Sequence, residues 1–370
     1  MPDTSKETLI ADGSREKNLY LGLPSGENFG WGICGYYLKK ELSKLVITTN
    51  LDNEPKLAAR KDLPGKVIHA LSDHDFNTLY AARGKENYGY TFFEYELDSP
   101  AVENAKNLDL VFCGSSWCRD KLRKRGIHCV EVLFQGVDPA HFYPIAPRKT
   151  NDSFVIFSGG KFELRKGQDL ILRAVALLQQ KYSNLLLVNA WYNSWPQTML
   201  SMSASPFIKF ESKGNTWKEQ MAHLYNLNGV DPHRVITCES IPHRELRSIF
   251  AMTDIGVFPN RCEGGTNLML MEYMACGRPV IASLTSGHRD ILNERNCLLL
   301  TDLRPFHLKD TNGELLGDWQ QPSLDELVER IEYAYHHRED LLHIGRQGAE
   351  DMGGLTWAAT ARRLLDTIFA

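Results

Sequence analysis

Residues 260–281 read NRCEGGTNLMLMEYMACGRPVI, and this stretch decides the fold. The apolar run Ile255–Pro259 before it predicts a strand. The pattern of Asn267–Ala275 predicts a helix closed by Gly277, and Val280–Ala282 follows as the last clear strand. A strand that turns through two glycines into a helix leaves several backbone N–H groups without partners at the helix N-terminus. Such N–H groups can hold a phosphate.

Glu272 lies about one and a half turns into the same predicted helix. A carboxylate in that position can reach a vicinal diol, such as that of a ribose, while a pyrophosphate lies at the helix start. The alternative interpretation is an ordinary capped helix with a solvated Glu272.

The alternation of strands and helices continues outward from this stretch in both directions. It runs from Leu19 to Phe134, is interrupted by the polar segment 143–153 with its two prolines, and restarts at Phe154. Residues 323–370 are predicted to be mostly helical. The pattern therefore predicts an α/β fold of two Rossmann-like domains, with a ligand cleft at the carboxyl ends of their strands.

Composition agrees with two globular domains and excludes several classes of protein. The chain has 370 residues, 43% of them hydrophobic and 24% charged, and a formal net charge of −4. This balance argues against nucleic acid as the main partner, because proteins that bind the phosphate backbone carry a basic excess. The eight cysteines form no CxxC pair, and no signal peptide or long apolar run is found. We therefore expect a cytoplasmic protein that is soluble or at most peripheral to a membrane.

Three further stretches occur in a fixed order with residues 260–281. They read FQGVDPAHFYP at 134–144, FSGGKFELRKG at 157–167 and LTW at 355–357. Together the four stretches resemble the motifs of the family-4 retaining glycosyltransferases of GT-B fold, also called glycosyl transferases group 1. The resemblance covers nearly the whole chain.

The resemblance implies an organisation for the chain. Residues 1–147 would form an acceptor-side domain and residues 148–355 a nucleotide-sugar-binding domain, with a last helix at about 356–370 that returns to the first domain. The implied substrates are a nucleotide diphosphate sugar and a glycan, lipid-linked or other hydroxyl acceptor. Neither a cofactor nor a metal is expected.

The resemblance also implies the residues of the site. Catalytic candidates are Lys166, Lys161, Glu263 and Glu94. Candidates for binding the donor are Gly30, Trp31, Gly32, Gly160, Arg165, Ile241, Gly264, Gly265, Thr266, Asn267 and Glu272.

Three features depart from the family pattern. Eight residues separate Glu263 from Glu272 where seven are usual, so Gly264 takes the place of the first glutamate if Glu272 anchors the alignment. Lys161 replaces a usual arginine, which keeps the charge and loses the planar fork. A histidine common in the first domain is missing after Tyr90, and Glu94 is our candidate in its place, with a solvated carboxylate as the alternative.

Several other motifs have both a functional and a structural interpretation. Asp73-His74-Asp75 spells a DxD metal motif, which a chance match explains better, and His69 and His74 are alternative cleft residues. The basic run at 119–125 is either a solvated helix face or a contact for anionic lipid or a phosphorylated acceptor. Trp191 and Trp195 belong to an acceptor platform or to a packed loop.

The expected reaction is transfer of a sugar to an acceptor hydroxyl with retention at the anomeric carbon and without a metal. Lysines 161 and 166, Arg165 and the N–H groups of 264–267 would stabilise the departing diphosphate. The alternatives are a sugar phosphorylase or epimerase of the same fold, and a non-catalytic nucleotide-sugar-binding subunit.

Overall fold

Two parallel sheets of six strands form the framework of the part of the chain that the structure describes. The computed structural model describes residues 18–148 and 152–370. The strands of the first sheet are β1 (Asn18–Gly22), β2 (Ile47–Asn50), β3 (Leu63–Ala70), β4 (Gly84–Thr91), β5 (Leu110–Cys113) and β6 (Val130–Val132). They lie in the order β2-β1-β3-β4-β5-β6. The order reverses between β1 and β3, which is where an open α/β sheet forms a crevice.

The second sheet repeats this architecture. Its strands are β7 (Phe154–Gly159), β8 (Leu185–Ala190), β9 (Val235–Thr237), β10 (Ile255–Phe258), β11 (Val280–Ser283) and β12 (Leu298–Leu300). They lie in the order β12-β11-β10-β7-β8-β9, the strand order of a Rossmann domain, with its reversal between β7 and β10. Every residue of β7, β10 and β11 is buried, because helices cover both faces of the sheet. The two predicted Rossmann-like domains are confirmed.

Eleven α-helices connect and cover the strands within the described residues. They are α1 (Gly30–Leu42), α2 (Pro55–Ala58), α3 (Pro100–Ala105), α4 (Ser116–Lys124), α5 (Gln168–Lys181), α6 (Trp217–Leu227), α7 (Leu246–Ala251), α8 (Leu268–Ala275), α9 (Leu324–His336), α10 (Leu342–Gly353) and α11 (Trp357–Ile368). Hydroxyl side chains cap several of them, as Ser115 does for α4 and Thr356 for α11. No described helix is long and apolar enough to cross a lipid bilayer.

The last helix, α11, packs against the first domain, as the resemblance implied. Its Trp357 ring stacks on Tyr37 of α1, with ring centroids 5.6 Å apart and planes within 6°. Leu364 and Ile368 join the same buried cluster as Leu38 of α1. The chain therefore crosses between the domains twice. The first crossing is the predicted linker 143–153, of which residues 149–151 lie outside the described residues.

An antiparallel hairpin follows the second sheet and was missed by the sequence analysis. Its strands are β13 (Leu303–Lys309) and β14 (Leu315–Pro322), so the prediction of Val280–Ala282 as the last clear strand was wrong. The miss has a physical reason, because β13 is mostly exposed and contains Pro305, so it lacks the apolar alternation of a half-buried strand.

The hairpin reaches across to the first domain. The carbonyl of Leu316 accepts a hydrogen bond of 2.8 Å from the N–H of Glu96. The buried Trp319 donates its indole N–H to the carbonyl of Glu94 at 2.7 Å. The second domain therefore fixes the backbone on both sides of Tyr95, directly beside the cleft.

A buried ion pair holds the segment that follows β10. Arg261 makes two hydrogen bonds to the carboxylate of Asp169 in α5, at 2.8 and 2.7 Å, and both side chains are fully buried. Arg261 also donates to the carbonyl of Leu164. This arrangement fixes the backbone two residues before Glu263.

We expect Asp169→Leu to lower the free energy of unfolding by about 3–5 kcal/mol, because it leaves the buried Arg261 charge without its partner. The double variant Asp169→Leu/Arg261→Met removes both charges and should recover most of that loss. Urea unfolding of the single and double variants measures the difference. Glu103→Ala, which removes one side of an exposed pair with Lys106, serves as the control and should cost less than about 1 kcal/mol. Equal losses in the single and double variants would contradict the role of the pair.

Candidate functional site

A cavity of about 910 Å³ lies between the two domains. Its walls are segments that follow the carboxyl ends of strands in both sheets, as expected for facing α/β domains. The predicted site residues that line it are Gly30, Trp31, Glu94, Gly160, Lys161, Arg165, Lys166, Ile241, Glu263, Gly265, Asn267 and Glu272. The structure thus brings together residues that are up to 242 positions apart in the sequence, from Gly30 to Glu272.

Three of the predicted residues lie outside the wall. Gly32 packs beneath the N-terminal loop, where an added Cβ would lie 2.6 Å from the carbonyl oxygen of Gly26. Gly264 faces the first domain, where a Cβ would lie 2.5 Å from the carbonyl oxygen of Phe93. The Thr266 side chain is buried and points into its own domain, where its hydroxyl contacts the sulfur of Met271 at 3.0 Å. Gly264 therefore permits a close approach of the two domains.

The turn between β10 and α8 presents backbone N–H groups at the cavity. Those of Gly265, Thr266 and Asn267 have no hydrogen-bond acceptor among the described residues. The N–H of Gly264 differs from the prediction, because it already donates to Oε1 of Glu94 at 3.1 Å. Because Thr266 is fully buried and lies outside the wall, the N–H groups of Gly265 and Asn267 are the two of the four predicted groups that remain available for a ligand.

Asn267 begins the helix in an unusual backbone conformation. Its φ of 66° lies in the left-handed region, which non-glycine residues rarely adopt. The side chain contacts Nε2 of His288 at 3.2 Å, and its oxygen accepts from the N–H of Leu270 at 3.5 Å. Strained backbone of this kind is held by its surroundings and is common at ligand sites.

Six charged side chains, ranging from buried to one-third exposed, form a cluster in the floor of the cavity. Nη2 of Arg165 lies 2.7 Å from Glu163, and its Nη1 lies 3.3 Å from Glu94 and 3.2 Å from Glu263. Nζ of Lys166 lies 2.5 Å from Glu263. Nζ of Lys161 lies 3.1 Å from Glu163. Three cations thus face three carboxylates, one of which, Glu94, comes from the first domain.

The surroundings separate the pKa values of these groups. Burial alone would raise the pKa of Glu263, but Lys166 and Arg165 outweigh it and lower the value to about 2. Burial raises the pKa of Glu94 above its usual value, although Arg165 opposes the shift. Burial also lowers the pKa of Lys166, although Glu263 opposes that shift. Glu263 is therefore an anion at neutral pH, and Glu94 is the carboxylate that takes up a proton more readily.

Glu163 was missed by the sequence analysis, although it lies inside the stretch 157–167. Its carboxylate is 1% exposed and holds both Lys161 and Arg165. Alternating charges in a loop give no signal of burial, and only the folded position of the loop reveals the role of this residue.

Glu272 lies at the cavity with a partner that the sequence did not predict. Nε2 of His243 is 2.6 Å from Oε1 of Glu272, and both side chains are buried. Burial alone would lower the pKa of His243, but Glu272 outweighs burial and raises it. The alternative of a solvated Glu272 is wrong, because its side chain is 2% exposed.

The two tryptophans of the segment after β8 lie in different environments, and each fits one of the two interpretations. Trp191 is fully buried and donates its indole N–H to Ser158 at 2.9 Å, so it belongs to the core. Trp195 is 39% exposed and lines the cavity, where its ring meets the edge of Phe29 from the first domain at 5.5 Å. Trp31 of the first domain combines the two environments, because it packs on Phe92 and also lines the cavity.

The remaining motifs have structural explanations. His69 is buried beside Asn87, and burial lowers its pKa to about 4. The carboxylate of Asp75 accepts hydrogen bonds from the hydroxyl of Ser72 and from the N–H of Asn77. Among the described residues, no three His, Cys, Asp or Glu side chains are grouped as a metal site would require.

The basic run on α4 is largely neutralised. Lys121 lies 3.2 Å from Glu96 and 3.1 Å from Asp318 of the hairpin, and Arg125 lies 2.7 Å from Glu96. This part of the run therefore ties the hairpin to the first domain, and the solvated-face interpretation fits the rest.

Residues 153–318 match the family described as Glycosyl transferases group 1, which confirms the resemblance found in the sequence. The matched region contains the charged residues from Lys161 to Lys166 and the segment from Glu263 to Glu272.

A curated relative is the GDP-mannose-dependent alpha-(1-6)-phosphatidylinositol monomannoside mannosyltransferase of Mycolicibacterium smegmatis. It is 27% identical over 204 residues, which cover 51% of this chain and 47% of that protein. The chain spans about half the length of the curated relatives it matches.

Two solved structures share the fold over nearly their whole length. Sucrose-phosphate synthase from Thermosynechococcus elongatus has a TM-score of 0.64 at 16% identity, covering 95% of this chain and 98% of that chain. Anabaena HepE, solved in complex with UDP and glucose, has a TM-score of 0.59 at 14% identity, covering 96% and 99%. At such identities the likeness shows the fold, and it confirms the predicted GT-B architecture.

We expect the stability of Glu94→Gln relative to the parent protein to rise with pH. In the unfolded chain Glu94 ionises near its ordinary pKa of 4.5, whereas in the native protein the raised pKa delays ionisation. The native state then binds more protons than the unfolded state, so the parent loses stability as pH rises above about 4.5. Glutamine has the same shape, keeps an acceptor for the Gly264 N–H and does not titrate.

Thermal unfolding of both proteins between acidic and neutral pH measures this difference. Glu54→Gln, at an exposed position that does not line the cavity, is the matched control and should follow the parent. Parallel pH profiles for Glu94→Gln and the parent would contradict the raised pKa.

Proposed function

We propose that this chain, which carries a group 1 glycosyltransferase domain over residues 153–318, is a retaining enzyme of family 4 that uses a nucleotide diphosphate sugar. In the proposed reaction a sugar passes to an acceptor hydroxyl, with no bound metal. The observation that carries the proposal is the convergence of lysine side chains and unbonded N–H groups of one domain on a cavity closed by the other.

The donor would lie against the second domain. Its diphosphate would meet the N–H groups of Gly265 and Asn267 at the start of α8, where the helix dipole favours an anion. Lys161, with a side chain that is 33% exposed, and Lys166 would contribute positive charge beside it. Gly160 supports this placement, because its φ of 114° lets the chain turn away after β7 and leave room at the cavity.

Glu272 would accept hydrogen bonds from the two ribose hydroxyls. The support is its position on α8 at the cavity wall and its close pair with His243, which fixes one carboxylate oxygen and leaves the other for a ligand. A charged acceptor in a buried position makes stronger hydrogen bonds than a solvated one.

Glu263 would hold hydroxyls of the transferred sugar. Its carboxylate lines the cavity and Gly264 does not, which favours Glu263 over Gly264 as the counterpart of the family's first glutamate despite the extra residue. A pKa of about 2 keeps Glu263 ionised, as a hydrogen-bond acceptor for hydroxyls must be. Glu94 would approach the sugar or the acceptor from the first domain.

The chemical step breaks the bond between the anomeric carbon and the diphosphate oxygen, and both bonding electrons leave with the diphosphate. The acceptor oxygen attacks the same face of the cationic sugar, and its proton passes to the departing phosphate oxygen. The lysines and backbone N–H groups stabilise the charge that develops on the diphosphate, which is the largest expected contribution to the rate. Domain closure brings the acceptor against the donor and excludes water.

We expect Lys166→Ala to lower kcat roughly 100-fold, which is the cost of removing one preorganised group that faces developing charge. Glu272→Gln should instead act mainly on KM for the donor, raising it roughly tenfold, because the ribose contact is made equally in ground state and transition state. Steady-state kinetics with UDP-, GDP- and ADP-sugars measures both. Lys181→Ala, at a side chain 62% exposed, is the control and should leave both constants unchanged. Binding of every donor without turnover in the parent would contradict the enzyme assignment.

We also expect activity to survive removal of divalent metal. The cationic groups that would face the diphosphate are protein side chains and N–H groups, so EDTA should leave kcat within about twofold, while the same treatment abolishes activity of a metal-dependent transferase used as control. Loss of activity with EDTA and its return with Mg²⁺ or Mn²⁺ would show that the metal-free mechanism is wrong.

A further inference from the structure

The two walls of the cavity differ in charge. The basic residues in the lining, Lys161, Arg165, Lys166 and His243, all belong to the second domain, which also contributes the carboxylates of Glu239, Glu263 and Glu272. The first domain contributes the carboxylates of Glu27, Asp73 and Glu94, and none of the lining residues it contributes among those described is Lys, Arg or His. Since the cations of the second domain would hold the donor, the acidic wall of the first domain is left for the acceptor.

Basic side chains of the first domain near this wall are engaged elsewhere. Nζ of Lys39 lies 2.6 Å from Asp52 and 2.9 Å from the hydroxyl of Ser25. Arg83 donates to the carbonyl of Ala82 at 2.8 Å and to the hydroxyl of Thr78 at 3.2 Å. Neither Lys39 nor Arg83 is therefore placed to balance a charge on the acceptor.

The rest of the acceptor wall combines apolar faces with neutral polar groups. Phe29, Trp31, Leu79 and Phe92 provide the apolar surface, and Leu79 at the rim is 49% exposed. Asn28, Asn77 and Gln135 provide amide groups, which donate and accept hydrogen bonds equally well. A sugar ring matches both properties, because its C–H faces pack on aromatic rings and its hydroxyls bond to amides.

The loop that carries Asp73 and Asn77 is held in place. Phe76 is buried with a φ of 61°, which is a strained conformation for a bulky residue. The carboxylate of Asp75 accepts from the N–H of Asn77 at 3.0 Å, and Asn104 donates to the carbonyl of Asp75 at 2.8 Å. The backbone of the loop that carries Asp73 is thus held at the wall.

We propose that the acceptor is an uncharged polyhydroxy compound with an apolar face, such as the sugar ring of an alkyl glycoside, and that phosphorylated acceptors are rejected. The inference rests on the proposed function, because it assigns the donor to the cations of the second domain. A phosphate monoester carries about −1.5 to −2 charge at neutral pH, so Asp73 and Glu27 repel it, whereas the hydroxyl of a neutral sugar is attracted to the same carboxylates.

The test compares neutral and phosphorylated acceptors of one shape. The probes are octyl glucoside, octyl mannoside and octyl galactoside, each beside its 6-phosphate, with the donor found active in the donor series. We expect kcat/KM for at least one neutral glycoside to exceed that of its phosphate at least tenfold. Higher or equal transfer to a phosphorylated acceptor overturns the proposal, and so does transfer to none of the three neutral glycosides.

A charge-reversing substitution tests whether the phosphorylated acceptor is rejected by electrostatic repulsion or because it is larger. Asp73→Lys, at an exposed side chain, should reduce the preference for the neutral acceptor about fivefold, the effect expected of one partly solvated charge. Glu54→Lys makes the same change at an exposed position that does not line the cavity and should leave the preference as it is. An unchanged preference in Asp73→Lys overturns the proposal.

Donor hydrolysis without acceptor distinguishes this inference from the function on which it rests. A chain that hydrolyses a nucleotide sugar but prefers phosphorylated acceptors retains the proposed function and loses the acceptor assignment. A chain that neither binds nor hydrolyses any donor loses both.

Discussion

Arg165 is the cation on which the arrangement of the two domains depends. It is buried, and its guanidinium lies within 3.3 Å of three carboxylates that come from the segments after β4, β7 and β10. A buried charge is tolerated only when partners surround it, so the three segments must meet at this point for the fold to be stable. Because Glu94 belongs to the first domain, the ion cluster also fixes how closely the two sheets approach each other at the cleft.

Much of the fold and part of the site could be predicted from the sequence, for a physical reason. Strands β7, β10 and β11 of the second sheet are fully buried and therefore largely apolar, and the residues that follow β7 and β10, such as Lys166 and Glu263, lie within short continuous motifs. Residues whose roles arise only from tertiary contact escaped prediction. His243 is defined by its contact with Glu272, 29 positions away, and Trp319 by its hydrogen bond to Glu94, 225 positions away.

The wall that the first domain contributes to the cavity shows the same limit in another form. Its lining comes from separate loops that follow β1, β3, β4 and β6, so no continuous stretch of sequence encodes it. The net charge of −4 also conceals it, because a total over the chain does not report which domain contributes each charged residue. A charge separation of this kind is visible only when the lining residues are sorted by the domain that contributes them.

The contacts that close the cleft are stronger around the hairpin than around the N-terminal glycine-rich loop. Around the hairpin the closure consists of backbone and buried side-chain hydrogen bonds, at Glu96 and Trp319. Around the N-terminal glycine-rich loop it consists of the ring edge contact between Phe29 and Trp195 and one long, exposed hydrogen bond of 3.4 Å between Ser240 and Asn28. Such contacts are worth about 1 kcal/mol each, so thermal motion breaks them first. The cleft is therefore held more weakly at the glycine-rich loop than at the hairpin, so the contacts at the loop are the first to separate.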